Sequence, residues 1–157
     1  MSAPLSGGIS LRRAALSDVG SIRNLARSSY AKWVPLIGRE PLPMGADYTR
    51  AVREHMIDLL FIGSELAGLI EMVNKGNHLL IENVAVAPPV QGKGHGRYLL
   101  AHAERVAASL GLVELKLYTN KLFERNIKFY SQVGYRIDHE VPFMEGVTVH
   151  MNKIIHI

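Results

Sequence analysis

The spacing of apolar side chains predicts a strand, a helix and an irregular segment in the first third of the chain. Residues 9–13 alternate apolar and polar positions, as a strand with one buried face does. Ser17 is the expected N-cap of a helix that runs to about residue 30. The apolar positions of this helix recur at helical spacing, at Val19, Ile22, Leu25 and Ala26. Residues 31–47 hold three prolines and two glycines, so we expect a loop or a broken helix there.

The remainder of the chain consists of predicted strands that alternate with helices. Helices are predicted over residues 48–56, 96–110 and 121–133. Strands are predicted over residues 59–63, 66–73, 78–86, 115–118, 135–141 and 147–153. The resulting order, β-α-α-β-β-β-α-β-α-β-β, predicts an α/β fold with one mixed sheet of about seven strands and about four helices. The length of 157 residues fits one domain, so residues 1–157 are expected to form a single domain.

A glycine-rich segment between the strand at residues 78–86 and the next helix carries the main functional signal. It reads Q-G-K-G-H-G over residues 91–96. Glycines in such a segment allow positive φ and let backbone N–H groups approach a ligand closely. The helix that follows has unpaired N–H groups and a partial positive charge at its first turn. This strand–loop–helix unit therefore predicts a binding site for a pyrophosphate.

Two common phosphate-binding motifs do not match this segment. A P-loop requires Ser or Thr after its Lys, whereas Lys93 is followed by Gly94. A dinucleotide-binding loop requires the spacing G-x-G-x-x-G, which Gly92, Gly94 and Gly96 do not supply. The pattern that is present, from Gln91, is Q-x-x-G-x-G.

This pattern resembles the acetyl-CoA pyrophosphate loop of the GNAT N-acetyltransferase family, whose motif is [R/Q]-x-x-G-x-[G/A]. The predicted order of elements is similar to the fold of that family over residues 9–154. The resemblance implies direct transfer of an acetyl group from acetyl-CoA, as cosubstrate, to an amine. It also implies a sheet that splays between the strands at residues 78–86 and 115–118, with the pantetheine arm in the gap.

The resemblance implies which residues bind acetyl-CoA. Backbone N–H groups on either side of Ala85 would hold the acetyl and pantetheine carbonyls, and two asparagines could bind the pantetheine amides. In many members of the family the positions seven and four before the motif tyrosine are Asn and Ala, whereas here they are Phe123 and Asn126. The implied set is Val84, Ala85, Val86, Gln91, Gly92, Lys93, Gly94, His95, Gly96, Arg97, Asn120 and Asn126. Asn120 also suits the N-cap of the following helix.

Acetyl transfer requires a base for the amine and a proton donor for the departing thiolate, because an alkylammonium has a pKa near 10.4. Tyr130 lies in a segment that resembles the family's N-x-x-x-Y-x-x-x-G-[F/Y] motif, which implies that it is the proton donor; packing of the aromatic ring is the alternative. Glu82 lies four residues before Val86, where histone-type members of the family carry a glutamate that acts as base, usually through water, so the resemblance implies that it is the base. An acidic residue in an apolar strand is also costly to bury unless it is solvated, paired or shifted in pKa. Glu71 is the rival for the same reason, and for both a structural ion pair stays open.

Composition excludes several other functions. The chain has no cysteine, which excludes disulfides, a cysteine nucleophile and thiolate metal sites. The net charge of +4 comes without the clustered Lys, Arg and aromatic residues of nucleic-acid binders, so no nucleic-acid partner is expected. The seven histidines lack metal-ligand spacing, so no metal is expected. No long apolar run and no leader pattern occur, which predicts a cytoplasmic protein without a membrane partner.

The identity of the acceptor amine is left open by the sequence. Residues 30–48, which include Trp33, and residues 142–146 are expected to form the acceptor pocket, and Arg39 or Arg50 could bind a substrate carboxylate. The apolar C-terminal segment suggests a homodimer. The alternative function is a non-catalytic acyl-CoA-binding sensor of the same fold, which would need neither Tyr130 nor Glu82.

Overall fold

A computed structural model describes residues 8–156. Its strands are β1 Ile9–Arg13, β2 Met56–Ile62, β3 Glu65–Asn74, β4 Leu79–Val86, β5 Glu114–Asn120, β6 Arg136–Phe143 and β7 Gly146–Ile154. Its α-helices are α1 Val19–Tyr30, α2 Val34–Ile37, α3 Tyr48–Glu54, α4 His95–Ser109 and α5 Glu124–Val133. The leader prediction falls on the first seven residues, and part of the C-terminal segment is Ile157; both lie outside the described residues.

The strands form a mixed sheet in the order β1-β2-β3-β4-β5-β7-β6. β4 and β5 are parallel, whereas β1–β2, β2–β3, β5–β7 and β6–β7 are antiparallel. Together with four helices of seven residues or more, this confirms the predicted α/β fold. Within residues 8–156, no helix is both long and apolar enough to span a bilayer.

The chain divides into two compact units. Unit 1 contains the residues up to 72 together with residues 83–100. Unit 2 contains residues 73–82 together with the residues from 101 onward. The boundary falls within β3, β4 and α4, so each of these elements contributes residues to both units.

The core of unit 1 forms where α1 packs on the sheet. The four apolar positions predicted for α1 are all at most 9% exposed. They cluster with Ile57 and Leu59 of β2 and with Leu69 of β3, which are all fully buried. Burial of each such side chain stabilises the fold by about 1.5–3 kcal/mol. The helical spacing of the sequence therefore identified the buried face of α1 correctly.

The predicted start of α1 was wrong by one residue. A 3₁₀ turn at Leu16–Asp18 precedes the helix, and Ser17 is not its cap. The Asp18 carboxylate accepts hydrogen bonds from the backbone N–H of Ala15 and from the Arg12 guanidinium, both at 2.8 Å. This bonding lowers the pKa of Asp18 to about 2, chiefly through the Arg12 hydrogen bond. A carboxylate that closes the preceding turn thus replaces the expected serine cap.

The segment at residues 31–47 is a broken helix, as predicted. A 3₁₀ turn at Ala31–Trp33 leads into the one-turn helix α2, which has Pro35 in its first turn and ends at Gly38 with a φ of 74°. A second 3₁₀ turn, Leu42–Met44, follows. Proline suits the first turn of a helix, where its missing N–H would have no partner. The three prolines therefore divide the segment into short turns.

In unit 2, the helix α5 begins later than predicted, and Asn120 is not its N-cap residue. Asn120 stays in β5, opposite Thr148 of β7, and its side-chain oxygen accepts from the backbone N–H of Leu122 at 2.9 Å. The helix α5 begins only at Glu124, after Phe123. At the other end of this helix, the Lys153 ammonium donates to the Val133 carbonyl at 2.8 Å. The β5–β7 ladder therefore delays the start of α5 by three residues relative to the prediction.

The hairpin between β6 and β7 closes with two residues of positive φ that are not glycine. Phe143 pairs with Gly146, so the turn consists of Met144 and Glu145, with φ of 46° and 65°. Two-residue hairpin turns with positive φ at both positions favour Asn and Gly. Ile154, in the C-terminal segment 153–157, is 54% exposed, and the homodimer stays a prediction.

Replacing Glu145 by Gly should stabilise the protein. A left-handed conformation costs a non-glycine residue about 1–2 kcal/mol, part of which the greater backbone entropy of unfolded Gly offsets. We expect the free energy of unfolding in urea to rise by about 0.5 kcal/mol. Glu140→Gly, in the extended strand β6, is the matched control and should lower it. A loss of stability in Glu145→Gly as large as in the control would contradict the turn geometry.

Candidate active site

The glycine-rich loop in unit 1 has the backbone geometry that its sequence predicts. Gly92 and Gly94 have φ of 77° and 89°, and an added Cβ at either position would meet no atom within 4 Å. Glycine is therefore required there by backbone conformation rather than by crowding. The helix α4 begins at His95, and its first intrahelical bond is from the N–H of Tyr98 to the carbonyl of Gly94, at 3.0 Å.

The N–H groups of the residues before Tyr98 make no bond within α4. They belong to His95, Gly96 and Arg97, and no intrahelical carbonyl precedes them. The positive end of the helix dipole adds to these donors, so the loop and the helix start can together bind an anion. Lys93 and Arg97 are exposed on the same segment and supply positive charge.

Gln91 binds within the protein through its side chain. Its Nε2 donates to the backbone carbonyl of Val86 at 2.8 Å, and its Oε1 accepts from the Lys32 ammonium at 3.0 Å. The Gln91 side chain thus ties the loop to the end of β4 and to the segment at residues 31–47. Lys32 was missed by the sequence analysis, because nothing in the sequence indicates this long-range contact.

The backbone N–H groups of β4 point alternately toward β3 and toward the opposite edge of the strand. The N–H of Ala87 donates to the carbonyl of Ala67 in β3 at 2.8 Å. Because alternate residues of a strand direct their N–H groups to opposite edges, those of Val84 and Val86 point away from β3. Ala85, between them, is 1% exposed and belongs to the core.

Glu82 belongs to unit 2, where a tyrosine holds its carboxylate. The Tyr118 hydroxyl donates to Glu82 Oε1 at 2.5 Å. Tyr118 is 36% exposed and Glu82 is half-buried, so both stay accessible to water. The parallel register pairs Leu80 with Lys116, which places Glu82 and Tyr118 on neighbouring strands at the same level. This partner was missed because the register cannot be read from either strand alone.

Two histidines continue the row of side chains that starts at Glu82. The His150 ring lies 5.7 Å from the Tyr118 ring, and the His139 ring stacks on His150 at 4.5 Å. Burial, followed by the nearby charge of His139, lowers the pKa of His150. Within residues 8–156, no group of three or more His, Cys, Asp or Glu residues could hold a metal ion.

Glu71, the rival base, is a buried carboxylate of unit 1. Its Oε2 lies 2.6 Å from His55 Nδ1, and Glu71 is 5% exposed. A buried carboxylate is costly unless it is paired, so this contact gives Glu71 a structural role. The accessible carboxylate of Glu82 is better suited to accept a proton from a substrate.

Tyr130 lies among aromatic side chains of unit 2. Its ring is 5.6 Å from that of Phe129 and 6.2 Å, edge to face, from that of Tyr135. Burial raises the pKa of Tyr130 to about 12, so its phenol is protonated at neutral pH. The Tyr135 hydroxyl is buried and has no hydrogen-bond partner among the described residues.

The two predicted asparagines differ in how their side chains are engaged. Asn120 Oδ1 already accepts the local bond from Leu122 described above. Asn126 Nδ2 reaches Thr119 Oγ1 only at 3.4 Å, which is a weak contact. Phe123 is 5% exposed and packs in the core. Asn126 is therefore the freer of the two amides for binding a ligand.

Comparison with known proteins gives one family and a consistent fold. The model of the acetyltransferase (GNAT) family matches residues 21–135. The spermidine N(1)-acetyltransferase of Thermoplasma acidophilum is 25% identical over 145 residues, which cover 83% of this chain and 89% of that protein.

Solved structures agree with this assignment at the level of the fold. The crystal structure of the PaiA N-acetyltransferase from Thermoplasma acidophilum in complex with coenzyme A has a TM-score of 0.76 at 19% identity, covering 94% of this chain and 99% of that chain. The ribosomal-protein-S18-alanine N-acetyltransferase from Escherichia coli also has a TM-score of 0.76, at 16% identity, covering 96% of each chain.

Proposed function

Because the chain belongs to the GNAT acetyltransferase family, and is thus an acetyltransferase, we propose that it transfers the acetyl group of acetyl-CoA directly to a primary amine. The observation that carries this proposal is the loop at residues 91–96. Its positive-φ glycines expose the first N–H groups of α4, which suit a pyrophosphate. A structural relative in complex with coenzyme A supports this cosubstrate.

The proposal assigns a role to each part of the cofactor-binding set. The N–H groups of His95, Gly96 and Arg97 bind pyrophosphate oxygens, and Lys93 adds a nearby cation. The outward amides of Val84 and Val86 bind the acetyl and pantetheine carbonyls, with Ala85 holding the strand in the core. Gln91 holds the loop in shape, and Asn126, with Asn120, meets the pantetheine amides. Amides bound in this way stabilise the oxyanion as the acetyl carbon is attacked.

Glu82 is the proposed base. As the amine nitrogen bonds to the acetyl carbon and the carbon–sulfur bond breaks, a proton of the amine passes to the Glu82 carboxylate, directly or through water. The hydrogen bond from Tyr118 fixes one carboxylate oxygen and leaves Oε2 for that proton. Since the acceptor is an ammonium at neutral pH, one proton passes to bulk water before the attack and the second passes to Glu82 during it.

Tyr130 is the proposed partner of the departing sulfur. Its pKa, raised to about 12 by burial, exceeds that of a thiol, about 8.5, so full proton transfer from the phenol is unfavourable. The phenol acts by donating a hydrogen bond that stabilises the thiolate as it forms. Its contribution therefore depends on its position more than on its acidity.

The acceptor is proposed to be a small or peptide-borne primary amine bound at residues 31–47. Similar proteins include a spermidine N(1)-acetyltransferase and a ribosomal-protein-S18-alanine N-acetyltransferase, so a small amine and a protein alanine are both candidate acceptors. Arg50 is paired with Glu54 at 2.7 Å, whereas the bond of Arg39 among residues 8–156 is a 3.4 Å contact with the carbonyl of Glu40. Arg39 is therefore the better candidate for binding a carboxylate. The sensor alternative has no support from these comparisons.

Replacing Gly94 by Val should abolish binding of acetyl-CoA. A β-branched residue does not adopt a φ of 89° without strain, so the loop would rearrange and its amides would turn away. In a thermal-shift titration, wild type at about 100 times Kd should gain about 2.7 kcal/mol, a shift of several degrees. Gly76→Val is the matched control, because Gly76 has a φ of 91° in another turn. Equal shifts in both variants would remove the loop from the site.

Replacing Tyr130 by Phe should lower kcat by about 10- to 100-fold and leave the Kd for acetyl-CoA within about twofold. The reason is loss of the hydrogen bond to the thiolate without loss of the ring. Tyr135→Phe is the control, since its hydroxyl has no partner among the described residues. Thiol release in single-turnover and steady-state assays measures both constants. If kcat of the two variants were alike, Tyr130 would be a packing residue.

A further inference from the structure

Two tyrosines at the ends of the segment at residues 31–47 converge on one asparagine of β4. Tyr30, the last residue of α1, donates through its hydroxyl to Asn83 Oδ1 at 2.6 Å. Tyr48, the first residue of α3, accepts from Asn83 Nδ2 at 3.1 Å through its hydroxyl oxygen. Both ends of the segment are thus hydrogen-bonded to the same side-chain amide.

The network fixes the orientation of this amide. The Tyr48 hydroxyl donates its hydrogen to the backbone carbonyl of Pro43, inside the segment, at 2.6 Å. Its oxygen can therefore only accept from Asn83, which requires Nδ2 on that side and leaves Oδ1 for Tyr30. Burial, followed by the nearby charge of Glu71, raises the pKa of Tyr48, so its hydroxyl keeps this hydrogen.

The network is buried, so it constrains the position of the segment at residues 31–47. Asn83 is 4% exposed and Tyr48 is fully buried. A buried polar group without partners is destabilising, so any other placement of the segment would leave the amide or a hydroxyl unsatisfied. The network therefore selects one position of the segment more than it adds net stability.

The same segment is also attached to the glycine-rich loop. Lys32, two residues after Tyr30, donates to the Gln91 side chain at 3.0 Å, and Gln91 holds the end of β4. Asn83 itself directly precedes Val84, one of the two amides assigned to the acyl carbonyls. The segment is therefore bonded at both ends to Asn83 of β4, and Lys32 within it is bonded to Gln91 of the glycine-rich loop. Both β4 and this loop are assigned to acetyl-CoA.

We propose that Asn83 is a positioning residue that fixes the acceptor-binding segment, residues 31–47, on β4. It does not touch the reacting atoms; it sets where the acceptor amine lies relative to the strand amides. This inference rests on the proposed function, because it needs an amine acceptor at that segment. It makes Asn83, with Tyr30 and Tyr48, a determinant of acceptor affinity rather than of acetyl-CoA affinity.

Asn83→Leu tests the inference, since leucine has a similar size and makes neither bond. The change leaves the Tyr48 hydroxyl bonded to Pro43, and the Tyr30 hydroxyl lies 3.2 Å from the carbonyl of Val84. We expect the KM for the acceptor to rise at least about tenfold, because the bonds from Asn83 to both ends of the segment are lost. The Kd for acetyl-CoA should change less than about twofold, because the loop amides are unaffected. Hydrogen exchange at residues 31–47 should accelerate at least about tenfold.

Two further variants keep the test decisive. Tyr30→Phe removes the hydroxyl that bonds Asn83 and lies at a half-buried position, so it replaces Asn83→Leu if that variant does not fold. It should raise the KM for the acceptor by a smaller factor and likewise leave the Kd for acetyl-CoA nearly unchanged. Ser29→Ala, at a neighbouring position that is 7% exposed, is the matched control and should change neither KM nor exchange. The acceptor probes are spermidine, free amino acids and peptides with a free N-terminal alanine, with thiol release as readout.

The outcomes separate this inference from the proposed function. Wild type that acetylates a probe, together with raised KM and faster exchange in the variants, supports both. Wild type that acetylates a probe while KM or exchange is unchanged in both variants overturns the role of Asn83 alone. Wild type that transfers acetyl to none of the probes overturns the proposed function, and this inference with it.

Discussion

Backbone N–H groups at the start of α4, held outward by two glycines of positive φ, are the constraint on which the rest of this account depends. A helix leaves these groups unpaired wherever it begins, but few helices follow a loop that keeps side chains away from them. Here an added Cβ at Gly92 or Gly94 would meet no atom within 4 Å, so backbone conformation and not crowding requires glycine at both positions. Gln91 maintains the arrangement through its bond to the last carbonyl of β4. The function assigned to the carboxylate and the phenol has meaning only if this site binds its anion.

The strand β4 contributes several of the other groups in the proposed roles. Successive residues of a strand point to opposite sides, which explains how one strand carries groups with different environments. Asn83 and Ala85 are buried in unit 1, and Asn83 carries the hydrogen bonds to Tyr30 and Tyr48. Val84 and Val86, between and after them, direct their amides to the edge away from β3. Glu82 precedes them in unit 2 and is bonded to Tyr118. Within unit 1 the strand thus combines a buried anchor with outward amides, because its period of two separates them.

The sequence predicted the elements well because apolar periodicity reports burial directly. The buried face of α1, the broken segment at residues 31–47 and the glycine loop all follow from local patterns. The cap at Ser17 was wrong and α5 begins three residues later than predicted, because the Arg12–Asp18 contact and the β5–β7 ladder override local preference. The partners of Glu82, Gln91 and Asn83 lie 36, 59 and up to 53 positions away, so no local pattern could indicate them. Long-range hydrogen-bond partners depend on how the strands and segments pack, so only the structure could identify them.

A crystal structure with coenzyme A bound tests the central claim most directly. We expect pyrophosphate oxygens within about 3.2 Å of the backbone nitrogens of His95, Gly96 or Arg97, with Gly92 and Gly94 keeping their positive φ. Coenzyme A bound elsewhere, or a loop whose amides make bonds inside the protein while the ligand is present, would contradict the account.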